Sequence, residues 1–428
     1  MKTVLKPDSR LFSNLELDGD KLSHQPGSVL GSTALIAGTT VGAGILALPA
    51  VTLPSGVVPS TALLIAVWLY ALVSALLLVE VTLNTMRFGG SSSNGLLVMV
   101  ESTLSKPIAR ITGGAYLFYH YTLLVAYIAQ GGEILGSAVE KVAGVQNDLP
   151  VWVGTTTFTL LFGGIMYLGR EKLVEKLNSA FVAIVIVSFI GLLLLAGTHI
   201  HPSQFSVQNW SALPPAVSVM FVALFFHNII PVVTVQLEGD VRKIRSSIII
   251  GSVIPLIMFL AWNAVILGSV SPDTIQGIGG AVFDPLQALR NGGAGELLGV
   301  LVSVFSEFAI ATSFIGFVYG LLDFFKDISP APNQLSRRLP LFSLILFPPL
   351  SLSTLNPGIF LTALDYAGTF SSSILAGIIP ALICWKQRQL YSGRIEQTLV
   401  PGGKLTLVVM IGVALAVIGR QIWSMCGM

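Results

Sequence analysis

Apolar runs long enough to cross a lipid bilayer recur along almost the whole chain, and no other feature restricts its fold as strongly. Bounded by charged or turn residues, they fall at 29–51, 57–84, 111–139, 150–168, 178–197, 214–237, 246–270, 296–324, 339–354, 358–385 and 404–424. A spanning helix needs about 20 apolar residues at a rise of about 1.5 Å each. In lipid the backbone must satisfy its own hydrogen bonds, which leaves helices or closed barrels. Continuous runs such as Leu192 to Ala196 and Ala75 to Val79 lack the alternation of barrel strands. The expectation is an all-α integral membrane protein with about 11 transmembrane helices. Only 10% of residues are charged and 53% are hydrophobic, against about 25% charged in soluble proteins, so little chain is left for a soluble domain.

Charge placement orients the bundle. With residues 1–28 taken as a cytoplasmic tail, 20 of the 23 lysines and arginines fall on the inner side, leaving only Lys141, Arg290 and Arg420 outside. That asymmetry is the positive-inside pattern, and it puts the C-terminus outside. The tail carries Lys2, Lys6, Arg10 and Lys21 against Asp8, Glu16, Asp18 and Asp20, with no apolar core, so it reads as neither a secretory nor an organelle signal. Beyond it, 29–428 reads as one transmembrane domain. Its first five spans, about 29–197, are followed by five more, about 214–385, that must run inverted because five is odd; 404–424 is extra. Inverted repeats are a common plan for secondary transporters.

Interruptions fall at corresponding places in the two halves. The first span contains Gly38-Thr39-Thr40-Val41-Gly42-Ala43-Gly44-Ile45-Leu46-Ala47-Leu48-Pro49. Its glycines loosen the helix, and Pro49 removes the amide that would serve the Ile45 carbonyl. The sixth contains Phe225-Phe226-His227-Asn228-Ile229-Ile230-Pro231, where Pro231 is expected to free the carbonyl of His227. A broken helix offers amides to a carboxylate and carbonyls to a cation near the bilayer centre. The same glycines also suit close helix packing, and a His-Asn pair can simply bond a neighbouring helix.

These two stretches, together with Gly239-Asp240, Arg242-Lys243-Ile244-Arg245, Gly251 to Pro255, Ala311 to Gly316 and Asp365-Tyr366-Ala367-Gly368, resemble the hydroxy and aromatic amino acid permeases, the tyrosine and tryptophan permeases of the amino acid, polyamine and organocation superfamily. The resemblance runs over nearly the whole chain after the tail. It implies a LeuT-type 5+5 inverted repeat with broken first and sixth spans plus one C-terminal span, in a bacterial plasma membrane. It implies proton-driven uptake of amino acids, aromatic ones foremost, with no cofactor and no nucleic-acid partner. By position it places Thr39, Gly42, Ala43, Gly44, Phe226, His227 and Asn228 around the substrate, with the third and eighth spans closing the pocket.

In the third span Tyr127 is nearest the expected midplane; Tyr116, Tyr119 and Tyr121 read as interfacial or packing residues. In the eighth, Glu307 is mid-span, where a carboxylate can carry a proton, while Thr312 and Ser313 could complete an oxygen-lined sodium site or merely bond their own helix. Proton and sodium coupling both stay open on residues alone. Glu80, near the inner surface, is expected to snorkel or pair with Arg87. The five histidines are scattered, no Walker pattern occurs and no selectivity-filter repeat is visible, which argues against a metalloenzyme, an ATP-driven pump and a channel. A non-transporting amino acid sensor on the same fold is a further alternative.

Overall fold

The computed structural model describes residues 10–18, 21–42, 44–89, 95–144, 149–269, 296–328, 334–394 and 398–427. Among these, 10 helices are long and apolar enough to cross a membrane, and the first span adds an eleventh as a pair of helices bent by 51°. In chain order the helices are α1 (Val29–Thr40), α2 (Gly44–Thr52), α3 (Val57–Gly89), α4 (Leu96–Thr103), α5 (Lys106–Ala143), α6 (Val151–Leu168), α7 (Glu171–Ala196), α8 (Ala216–Leu224), α9 (Ile230–Gln236) and α10 (Val241–Ser269). They continue as α11 (Glu296–Ile328), α12 (Gln334–Leu355), α13 (Phe360–Tyr366), a π-helix (Ala367–Ile378), α14 (Ile379–Leu390) and α15 (Gly403–Met425). Pairs α1–α2 and α8–α9 make the first and sixth spans, and α13, the π-helix and α14 make the tenth.

Helix ends follow local chemistry. Ser28 caps α1 by accepting the Gly31 N–H at 2.9 Å. Ser105 caps α5 with Pro107 just inside, and Gly144 closes it in the left-handed region at φ 64°, returning its N–H to Glu140. The outer faces carry exposed leucines such as Leu168, Leu194 and Leu355, whereas Trp262, Phe158, Phe221, Phe305 and Phe314 are fully buried. That distribution suits lipid outside and protein inside. The tenth span is the most enclosed, with 78% of its window buried, and the last the most peripheral, at 17%.

Three features depart from expectation. The tail is not all irregular: Leu15–Asp18 (β1) pairs antiparallel with Lys21–His24 (β2), opposing Leu15 to His24, and this hairpin holds the only strands among the described residues. A short helix, α4, joins the second and third spans. Glu80 pairs not with Arg87 but with Arg388, whose Nε and Nη2 donate to its two oxygens at 2.7 and 2.9 Å. Arg388 lies in the last turn of α14, where it reaches a carboxylate only 2% exposed. A bidentate fork satisfies both carboxylate oxygens at once, which favours arginine over a snorkelling arrangement.

Candidate functional site

At the first break, Val41 leaves helical geometry (φ −78°, ψ 96°) and its N–H closes α1 on the Ala37 carbonyl; α2 resumes at Gly44. Pro49 leaves the Ile45 carbonyl without an amide, as the sequence suggests, and the indole N–H of Trp262 fills that vacancy at 3.0 Å. Leaving such a buried acceptor bare would cost about 1–3 kcal/mol. The join continues through Thr52, Asn263 and Ser60, bonded in series at 2.6 and 2.9 Å.

At the sixth break α8 ends at Leu224, Phe225 turns out (ψ 127°), and His227–Ile229 form one 3₁₀ turn before α9. The expected free carbonyl of His227 is not free. It accepts the Ile230 N–H, because a 3₁₀ turn bonds one residue earlier than the position Pro231 occupies.

The C-terminal half of the first span and the N-terminal half of the sixth touch through backbone. A Cβ on Gly44 would lie 2.9 Å from Ala223 Cα, so glycine is what lets α2 meet α8. A Cβ on Gly42 would lie 2.8 Å from Ser313 Oγ, and the Tyr127 side chain also reaches Ser313. Gly42, Ser313 and Tyr127 therefore come together. Ser313 and Thr312 each donate to the Ala309 carbonyl of their own helix, at 2.9 and 3.0 Å.

Other expected site residues lie apart. Glu307 is half-buried with both oxygens shielded from solvent, but six residues before Ser313 means about 9 Å along the axis and about 120° around it. Phe226 joins the apolar cluster of Ile36, Leu78 and Ile230 rather than the groups around Ser313. Thr39 is exposed and donates to Leu35 O at 2.7 Å; Asn228 is also exposed, whereas His227 beside it is buried. Ala43 and the side chain of His199 lie outside the described residues.

A model of the tryptophan/tyrosine permease family matches residues 25–419, which takes in both broken spans. The chain belongs to that family. Among relatives, it is 28% identical to the tyrosine-specific transport system 1 of Haemophilus influenzae over 89% of this chain and 93% of that protein. It is 29% identical to the tryptophan-specific transport protein of the same organism over 85% and 88%, and 28% identical to tyrosine-specific transport system 2 over 91% and 95%. The chain is thus a multi-pass membrane permease.

Two parts of this permease's site escape a reading of the sequence. Tyr119, expected near the inner surface, is 3% exposed and lies 6.2 Å, ring to ring, from His227. Phe317 of α11 stands between Tyr119 and Tyr127, 5.6 Å from each. The helix is centred near Leu124, as its apolar run is, so Tyr119 meets the break through packing against the sixth and eighth spans rather than through its depth in the third. The second part is the π-helix of the tenth span. Gly368 there packs so closely on the Ser218 carbonyl of α8 that no Cβ fits. Ser218 in turn donates to Asp365, whose other oxygen accepts Gln421 at 2.8 Å. The available signal was Ser371-Ser372-Ser373, three hydroxyls in an apolar run.

Proposed function

We propose that this permease imports aromatic amino acids by proton symport across a bacterial plasma membrane, on a LeuT-type 5+5 inverted repeat with the N-terminus cytoplasmic. The observation that carries the reading is the meeting of two interrupted spans, α2 against α8, with exposed polar side chains beside both breaks. The N-terminus of α2 supplies amides for a substrate carboxylate, and the end of α1 supplies carbonyls for an ammonium group. The relatives' names, tyrosine-specific and tryptophan-specific, support an aromatic side chain.

Access is inward. Every residue of α2 but Val51 is buried, whereas α1 buries only Ser32, Thr33, Ile36 and Thr40. Thr39 and Asn228, exposed beside the breaks, would be costly against acyl chains and so line a water-filled path from the N-terminal side. Glu307 takes the proton, since a shielded mid-span carboxylate is costly to keep charged. Sodium coupling is a second reading, favoured by the Ser313 hydroxyl beside the Gly42 break.

Reconstituted liposomes given a pH gradient, a sodium gradient or neither decide among these. Accumulation of labelled tryptophan or tyrosine on the pH gradient alone is expected. Accumulation that needs sodium and ignores pH would overturn the proton assignment, and binding without accumulation would make the protein a sensor.

A further inference from the structure

Buried polar atoms without partners occur at the sixth-span break and in the π-helix of the tenth span, and Tyr119 lies near both. Both ring nitrogens of His227 are shielded and have no hydrogen-bond partner among the described residues, and His227 is 4% exposed. Ser371 and Ser372, at 1% and 0% exposure, likewise have hydroxyls with no partner of normal geometry. Ser372 faces the hydroxyl of Tyr119, whose ring also approaches His227. The three side chains come from three different spans, so no single helix's own geometry gathers them.

Chance does not account well for this. Buried polar groups in folded proteins are nearly always paired, and a bilayer interior penalises an unpaired one more than a soluble core does. The segment bearing Ser372 is a π-helix, a rare geometry concentrated at functional positions. An uncharged imidazole offers one donor and one acceptor, and serine and tyrosine hydroxyls offer both. The set can therefore accept an N–H or O–H and return a bond to an oxygen. Around it the walls are aromatic: Tyr119, Tyr127 and Phe317.

We propose that His227, Ser372 and Tyr119 form the side-chain subsite of this permease, taking the hydrogen-bonding atom of an indole or phenol while the helix breaks take the amino acid backbone. This rests on the aromatic amino acid reading above. A site built to pair an N–H or O–H rejects the analogue that lacks it, because its own polar groups are then stranded. Phenylalanine is thus the disfavoured aromatic, and Ser372 is a specificity residue.

The test is competition against labelled tryptophan uptake in liposomes holding the full chain. Tyrosine and unlabelled tryptophan should compete about tenfold or more better than phenylalanine, and tryptophan methylated on the indole nitrogen should fall to the phenylalanine level. Ser372→Ala should collapse the tryptophan-to-phenylalanine ratio, and Ser372→Thr, which keeps the hydroxyl, should restore it. Wild-type protein that takes phenylalanine and the methylated analogue as readily as tryptophan overturns the subsite without recourse to any variant. So does a folded Ser372→Ala protein with an unchanged ratio. If no aromatic amino acid accumulates while another class does, the substrate reading fails and this inference with it.

Discussion

Removing either member of the Glu80–Arg388 pair should destabilise the protein unequally, and the structure says in which order. Glu80 accepts both guanidinium bonds, the Leu399 N–H at 3.0 Å and the Cys384 thiol at 3.3 Å, while only 2% exposed. Stranding one charge of a buried pair costs about 3–5 kcal/mol. Arg388 is 15% exposed, near the end of its helix, so water reaches it when Glu80 is neutralised. Glu80→Gln also keeps one acceptor, which puts its loss near the lower end, about 3 kcal/mol. Arg388→Met leaves a carboxylate with almost no solvent, and its loss should approach about 5 kcal/mol. The double replacement Glu80→Gln/Arg388→Met strands no charge and should cost less than Arg388→Met alone. Unfolding by titration of a denaturing detergent into mild micelles, followed by tryptophan fluorescence, gives all three values. Additive losses would refute the coupling. A larger effect for Arg87→Met than for Arg388→Met would refute the pairing itself.

Gly44→Val should abolish transport and also lower stability, because its Cβ meets the Ala223 backbone, whereas Gly42→Ala meets only a rotatable Ser313 hydroxyl and should fold but transport more slowly. Size-exclusion profiles and initial uptake rates separate the two, and normal kinetics in Gly44→Val would sink the packed-break site. Glu307→Gln should end accumulation driven by a pH gradient while sparing exchange of internal for external substrate, measured in the same liposomes. The tail should stay docked on mild acidification. Burial tends to raise the Glu238 carboxyl, but the Asn14 amide at 2.7 Å, His24 and Arg10 outweigh it and hold it below the ordinary carboxylate range. A depressed carboxylate contributes stability above its unfolded value of about 4.3 and loses it only as pH falls through the lower folded value. Protease cleavage of residues 10–25 should therefore stay slow from pH 8 to 5, and rapid cleavage by pH 5.5 would refute the clasp.

Hydropathy made the spans legible because lipid imposes one length and one polarity on every segment that crosses it. Pro49 disclosed a bare carbonyl at Ile45, since a missing amide is written in the residue itself. The donor that fills it, Trp262, sits 217 positions away and leaves no local mark. Pro231 misled for a related reason: whether the turn before a proline is α or 3₁₀ depends on packing, and a 3₁₀ turn occupies the carbonyl. Glu80 had a nearby arginine, Arg87, but depth and fork geometry chose a distant one. Ser313 could be placed beside the first break, while Glu307, six residues earlier on the same helix, is turned about 120° away from it. The π-helix was invisible because apolar runs look alike whether bonds close after four residues or five.

The tail hairpin has a mechanical consequence. Leu11 and Asn14 bond the Glu238 carbonyl and carboxylate, and the Gly27 N–H bonds the Gln236 carbonyl at 3.1 Å, just ahead of α1 and just after α9. The N-terminal half of the first span, α1, is thereby strapped to the C-terminal half of the sixth, α9, while α2 and α8 are locked together by the Gly44 contact. Four half-helices form two packed pairs, and within each span the chain leaves α-helical geometry at Val41–Gly42 and at Phe225–Phe226. Flexure at those two points swings the strapped pair as one lever, so a cargo that loads the hinge on one span moves the other without a separate signal. A bulky fusion at the N-terminus would ride on that lever, and one placed after α15 would not.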